Sequence, residues 1–184
     1  MRNAAPARNI VLVGPMGSGK SHVGRLLATR LGLAFVDLDA RIEAEAGKPI
    51  SAIFASEGEQ AFRVLESRVL TETMAGQGQV VATGGGAVTD ADNRAVMRER
   101  GHVVYLQVEH DDQWRRIAGV GASGGGRPLL DAPDPAQRLR DLQAVREPLY
   151  REAADLLFDT GQLTAEGVAD ALAATLAHDE EFPA

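Results

Sequence analysis

The 184-residue sequence contains no cysteine. Disulfides, thiolate metal centres and cysteine nucleophiles are therefore excluded. Lysine is scarce as well: of 19 basic residues only Lys20 and Lys48 are lysine, and the other 17 are arginine. Against 26 acidic residues the formal net charge is −7, so no basic surplus exists to hold a polyanionic backbone, and a nucleic-acid partner is not expected. No apolar run approaches the ~20 residues a bilayer span needs, and Met1–Asn9 lacks a signal peptide's hydrophobic stretch. What is present is a 45% apolar fraction, enough for a real core in one domain of this length. The expectation is a cytoplasmic, acidic protein of one domain over residues 1–184, acting as a monomer without a membrane partner.

Short β-branched runs alternate with longer amphipathic stretches. Strands are predicted at Ile10–Val13, Ala34–Asp37, Val80–Thr83, Val103–Gln107 and Leu156–Asp159. Most are continuously apolar rather than alternating, which suits strands covered by helices on both faces. Helices are predicted at Lys20–Leu31, Gly58–Ala75, Asp90–Arg100, Asp111–Ile117, Pro135–Ala153 and Ala165–His178. Asp134-Pro135 is a start signal, a capping carboxylate followed by proline at the first helical position. This alternation predicts a three-layer α/β/α fold on a five-stranded parallel sheet. Gly119–Gly126 reads as a flexible loop, part of a mobile lid at about 117–130, and residues 1–8 and 179–184 are expected to fray.

The sharpest local signal is Gly14-Pro15-Met16-Gly17-Ser18-Gly19-Lys20-Ser21, which matches G-x-x-x-x-G-K-[ST] between a strand and a helix. Its glycines let backbone N–H groups curl around phosphate oxygens, and the helix N-terminus adds its positive end. Lys20 is placed to bridge the β- and γ-phosphates and the Ser21 hydroxyl to ligate Mg²⁺. Roughly 0.002 chance matches are expected from this chain's composition, so a glycine-rich turn matching by accident is a poor alternative. That an arginine-rich chain keeps lysine here also fits a compact point charge against phosphate. A guanine-reading N-K-x-D motif is missing, since no Asn-Lys pair occurs, and the chain is too short for a motor or transporter ATPase. A small-molecule kinase remains.

Four further features bear on the second substrate. Asp37 and Asp39 flank Leu38 at the end of the second strand, where residues two apart share a face and where ligands bind in open α/β sheets. One carboxylate suits a Mg²⁺ shell and the other a hydroxyl proton; two solvated turn aspartates, one of them capping the next helix, are the alternative. Thr83-Gly84-Gly85-Gly86, after the third strand, allows a ligand to approach the backbone, or is a plain tight turn. On the 135–153 helix, Leu139, Leu142, Val145 and Leu149 define an apolar arc, and Arg146 falls inside it. A guanidinium there needs an internal carboxylate or an anionic ligand. Arg63 and Glu66 stand at i,i+3, a spacing for an ion pair that orients the guanidinium or merely decorates a surface helix.

Taken in order, GPMGSGKS, FVDLD, EGEQAFRVLE, ATGGGAV, RPLL at Arg127–Leu130 and REPLY at Arg146–Tyr150 resemble the shikimate kinase family over about Asn9 to Leu176. The resemblance implies ATP- and Mg²⁺-dependent phosphorylation of the 3-hydroxyl of shikimate in the chorismate pathway. It implies that Asp39, Arg63, Gly85 and Arg146 hold shikimate with Gly86 beside them. Asp39 meets the hydroxyls as candidate base, and the two arginines grip the carboxylate. It implies ATP on Gly17, Ser18, Gly19, Lys20, Ser21 and His22, Asp37 acting on Mg²⁺ through water, Arg127 reaching ATP from the lid, and Arg116 near adenine. Lys20, Asp39 and Arg127 would carry the chemistry.

The chain departs from the family pattern at three places. His22 stands where a hydroxyl residue is usual, the segment between Arg116 and Arg127 is longer and richer in glycine, and the adenine-side loop near Thr160–Leu163 has no recognisable motif residue. Two alternatives stay open from the residues alone. One is a kinase of another small polyol acid such as gluconate, and the other a silent nucleotide-binding module. The second is disfavoured by the presence of Lys20, Ser21 and Asp39.

Overall fold

In the computed structural model the described residues are 8–119 and 132–177. Five strands, β1 (Asn9–Val13), β2 (Ala34–Asp37), β3 (Gln79–Ala82), β4 (Gly101–Gln107) and β5 (Leu156–Asp159), form a parallel sheet in the order β2-β3-β1-β4-β5. The helices are α1 (Lys20–Leu31), α2 (Leu38–Ala46), α3 (Ile50–Met74), α4 (Ala91–Arg100), α5 (His110–Gly119), α6 (Pro135–Ala153) and α7 (Ala165–Ala177), with a 3₁₀ turn at Ala87–Thr89. No helix among the described residues is long and apolar enough to cross a membrane.

The central strand shows why its sequence is apolar at every position after Asn9. All five residues of β1 are buried, and successive side chains point to opposite faces. Val11 and Val13 enter one core with Val81, Val103 and Tyr105 beneath α2, α3, α4 and α6. Ile10 and Leu12 enter the other with Val80, Val104 and Leu106 beneath α1 and α7. A strand with two buried faces cannot alternate in polarity. Because β2 and β3 lie on one side of β1 and β4 on the other, the chain reverses direction across the sheet at β1. The carboxyl end of that strand is thus the crevice in which such sheets bind ligands.

Several expectations are corrected here. The 38–46 segment, for which the sequence predicts no element, is a helix, and α3 begins at Ile50 rather than Gly58. Gly58 is nonetheless a true boundary: its φ of 84° and ψ of 171° break α3 into two helical segments. On α6 the capping signal holds, with the Asp134 carboxylate accepting from the Gln137 N–H at 2.9 Å and Pro135 in the first turn. The apolar arc is turned slightly from expectation: Leu139, Tyr150 and Ala153 are its buried residues, while Val145 is 69% exposed. This rotation leaves Val145 at the rim and Arg146 near the middle of the inward face. Of the expected lid, residues 117–119 belong to α5, where Ile117 is fully buried against Leu139, and residues 120–130 lie outside the described residues. Arg8, expected to fray, donates to the Arg98 carbonyl at 3.1 Å; residues 1–7 and 178–184 lie outside the described residues.

Candidate functional site

The phosphate loop runs from the end of β1 into α1. Gly17 and Gly19 hold φ of 80° and 92°, left-handed conformations that side chains other than glycine rarely adopt. Gly19 caps α1 without a side-chain hydrogen bond, so the first-turn N–H groups have no side-chain acceptor of their own and point the helix's positive end at the crevice. Lys20 folds back along the loop, its Nζ donating to the carbonyls of Gly14 at 2.9 Å and Pro15 at 2.8 Å. Burial lowers its pKa to about 8, with Asp39 and Asp37 opposing that fall and Arg146 adding to it. Two cations facing one cleft favour an anion between them. Ser18 is buried beneath the loop, its Oγ 3.4 Å from Nζ.

Helix α5 braces the loop from outside. The Gln113 amide donates to the Met16 carbonyl at 2.8 Å. Arg116 reaches the Gly17 carbonyl at 3.5 Å, Thr160 Oγ1 at 3.2 Å and the Gly161 carbonyl at 3.3 Å. The structure thus joins Arg116 to the Thr160–Leu163 turn, although neither lines the main cavity. Nothing in the sequence marks Gln113, whose role depends on a contact 97 positions away.

A cavity of about 620 Å³ opens beside the loop. It brings together Gly17, Gly19, Lys20, Ser21 and His22 from the phosphate loop, Asp39, Arg63, Glu66, Thr83-Gly84-Gly85-Gly86 and Arg146. Ile50, Phe54 and Phe62 of α3 supply an apolar wall that sequence reasoning missed. The signal was available in the helical spacing of Ile50, Ile53 and Phe54, but Gly58 drew the helix start past it. Asp37 and Asp39 do not share a strand face as expected. The strand ends at Asp37, whose Oδ1 caps α2 by accepting from the N–H groups of Asp39 at 3.1 Å and Ala40 at 3.3 Å. Asp39 instead projects from the first turn of α2 and lines the cavity. Shielding by the cleft walls, together with the nearby Asp37 charge, holds its carboxyl above the usual range, while Lys20 pulls it down.

The opposite wall carries the arginines. Arg63 is held on two sides, by Glu66 at 2.7 Å and Glu59 at 3.1 Å, and its guanidinium lies 5.2 Å from the Phe62 ring centre. The Glu66 side chain is 1% exposed; burial holds its carboxyl above the usual range, and the Arg63 charge offsets only part of that rise. Its second oxygen, Oε1, is buried without a hydrogen-bond partner. Glycines make these approaches possible. A Cβ on Gly86 would lie 2.6 Å from the Arg63 guanidinium carbon, and one on Gly84 would lie 3.0 Å from Asp39 Oδ1. Arg146 enters from α6 and donates to the Gly85 carbonyl at 3.4 Å. Arg127 lies outside the described residues.

The arrangement is a glycine-rich loop with its lysine facing two guanidinium groups, of which Arg63 is held by two carboxylates, across Asp39; it suits a substrate that carries both an anion and a hydroxyl. The shikimate kinase family model matches residues 16–177. A shikimate kinase of Stenotrophomonas maltophilia (strain R551-3) is 49% identical over 172 residues, 94% of this chain and 93% of that protein. The solved structure of the shikimate kinase from Acinetobacter baumannii in complex with shikimate is 45% identical, with a TM-score of 0.85 over 90% of each chain. A gluconokinase from Sinorhizobium meliloti 1021, at 21% identity and a TM-score of 0.55, shares the fold alone. On its sequence and on the length of these matches, the chain belongs to the shikimate kinase family.

Proposed function

We propose that this protein transfers the γ-phosphoryl group of ATP to the 3-hydroxyl of shikimate, giving shikimate 3-phosphate and ADP. The observation that carries the reading is the single cavity in which Lys20 and Ser21 face Asp39, Arg63 and Arg146. Arg63 and Arg146 grip the substrate carboxylate, with Gly85 and Gly86 beside them. Asp39 orients the hydroxyl. The hydroxyl oxygen bonds to the γ-phosphorus, the bond from that phosphorus to the bridging oxygen of ADP breaks, and the proton passes to Asp39, whose raised pKa suits a proton acceptor. Lys20, on giving up its two loop carbonyls, meets the phosphate charge, since such transfer depends on positioning and neutralisation. Arg127 is assigned the same task from the lid, and Arg116, held at the Thr160 turn, lies on the adenine side.

Mg²⁺, when bound, neutralises charge between the phosphates. The Ser21 hydroxyl, on the cavity wall, would hold it directly, and Asp37, outside the wall but near enough for its charge to act on Lys20, would reach it through water. The same reading takes residues 1–184 as one domain, cytoplasmic and monomeric, without nucleic-acid or membrane partners. Coupled ADP-release assays with shikimate, quinate and gluconate test the activity. Turnover is expected with shikimate, and turnover with gluconate but not shikimate would overturn the assignment. Light scattering on a sizing column checks the monomer.

A further inference from the structure

The turn after β3 is tied down at nearly every carbonyl. Thr83 donates to the Leu12 carbonyl through its N–H at 3.2 Å and its hydroxyl at 3.0 Å. The Gly84 carbonyl accepts from the Ala87 N–H at 3.1 Å. That of Gly86 accepts from the Thr89 N–H at 3.0 Å and hydroxyl at 2.7 Å. The carbonyl between them, of Gly85, has its partners on α6: the Tyr150 hydroxyl at 2.5 Å and, at 3.4 Å, Arg146 Nη1. Tyr150 itself is 0% exposed and stacks on Tyr105, the ring centres 5.0 Å apart and the planes 29° from parallel. It does not line the main cavity and cannot touch a substrate there.

In a trans peptide the carbonyl of one residue and the N–H of the next point in opposite directions. Whatever draws the Gly85 carbonyl toward α6 therefore aims the Gly86 N–H away from it. The two donors on that carbonyl differ in what a substrate asks of them. A carboxylate arriving in the cavity recruits Arg146, whose bond to Gly85 is long and easily given up. Without a second donor the part-buried carbonyl would then lose its protein partners, at a cost that opposes binding.

We propose that Tyr150 is a positioning residue for the acid substrate: its hydroxyl fixes the Gly85–Gly86 peptide plane and holds the carbonyl when Arg146 turns to the substrate carboxylate. The proposal rests on the reading of shikimate as substrate. It implies an asymmetry that a merely structural phenol would not produce. Loss of the hydroxyl should weaken the acid substrate and leave nucleotide binding alone.

Tyr150→Phe keeps the stacked ring and removes the donor. Calorimetric titration and steady-state kinetics are expected to show the Kd and KM for shikimate raised about three- to tenfold, from a net hydrogen bond's worth. The Kd for ATP should stay within about twofold, and kcat should stay within about threefold. Tyr105→Phe serves as the control. It removes a hydroxyl from the same stacked pair, one that accepts from Gln143 at 3.3 Å, and should leave the shikimate Kd unchanged. Wild-type-like shikimate binding by Tyr150→Phe, or equal weakening of both substrates in either variant, would overturn the proposal while the functional reading stands. Failure of the wild type to bind shikimate in the same titration would overturn both. Should Tyr150→Phe not fold, fluorotyrosine labelling of the wild type provides the readout, because the chain has two tyrosines. Shikimate, and not ATP, is expected to shift the Tyr150 fluorine resonance; an unmoved resonance would overturn the proposal.

Discussion

Replacing Gly86 by alanine adds one carbon at a place where the backbone accepts it and the neighbouring side chain does not. Gly86 has φ −103° and ψ −5°, angles open to alanine, so no backbone strain enters the comparison. The new Cβ would lie 2.6 Å from the Arg63 guanidinium carbon, whereas ordinary contact begins at 3.4 Å. Arg63 Nη1 comes closer still, so the guanidinium must retreat by about 1 Å. It cannot do so freely, because Glu66 and Glu59 hold it at 2.7 and 3.1 Å and Glu66 is buried. Breaking or misaiming a hydrogen bond to a charged group costs about 1.5–3 kcal/mol, or about 10- to 150-fold in affinity. That loss should fall on the substrate carboxylate that Arg63 grips. Calorimetry is expected to show the shikimate Kd raised within this range with ATP affinity kept, and the melting temperature lowered by several degrees because Arg63 also pairs buried Glu66. A shikimate Kd equal to that of the wild type would refute the steric argument and, with it, the assignment of Arg63 to the carboxylate.

Other outcomes follow from the same geometry. Asp39→Asn keeps the shape and removes the proton acceptor, so kcat should fall by about 10²- to 10⁴-fold with the KM for ATP roughly kept; near-normal turnover in steady-state assays would show that orientation suffices. Arg116→Ala frees the Thr160 turn and the Gly17 carbonyl, and should raise the KM for ATP while leaving that for shikimate in place. Lys20, at about 8 in the free protein, must be charged to meet phosphate, so ATP affinity should hold below that pH and drop about tenfold by pH 9. Its effect on folding has the opposite sense. The lowered value means that the unfolded chain binds more protons between about pH 8 and 10.5, and denaturation should show this lysine's burial penalty easing across that window. A pH-independent ATP affinity from 7 to 9 would place Lys20 away from the phosphates.

The sheet was legible because each buried strand answers to two cores at once. Ile10 and Leu12 serve one, Val11 and Val13 the other, and a run apolar at every position is the direct trace of that demand. The 38–46 helix was hidden by its own cap. Asp37 both ends a strand and accepts from the first helical N–H groups, so Asp37-Leu38-Asp39 reads equally as an alternating strand end or as a helix start. The helix's buried residues are two, Leu38 and Ile42, too few for periodicity to decide. Contacts made in space settled what spacing left open: α2 packs on α3, and α3 in turn begins with a segment that Gly58 separates from the rest.

The site was legible to different depths for one reason, the range over which each residue's constraint acts. The phosphate loop is a constraint within eight consecutive residues, so its pattern alone carries the chemistry. Arg146 was legible because a charge on an apolar helix face is anomalous wherever the partner lies. The three glycines at 84–86 look identical in sequence, and a ligand's close approach or a plain tight turn would account for all of them alike. The structure gives them separate causes. Gly84 makes room for Glu66 and Asp39, and Gly86 for Arg63, side chains of the protein itself. At Gly85 a Cβ would meet only ordinary contacts, the nearest 3.4 Å away at the Met16 N–H, and what distinguishes the residue is its carbonyl, held from α6. Two of the three glycines therefore serve the ligand at one remove, by letting the charged groups that meet it stand where they do. A substitution at either should be read first through the side chain it displaces.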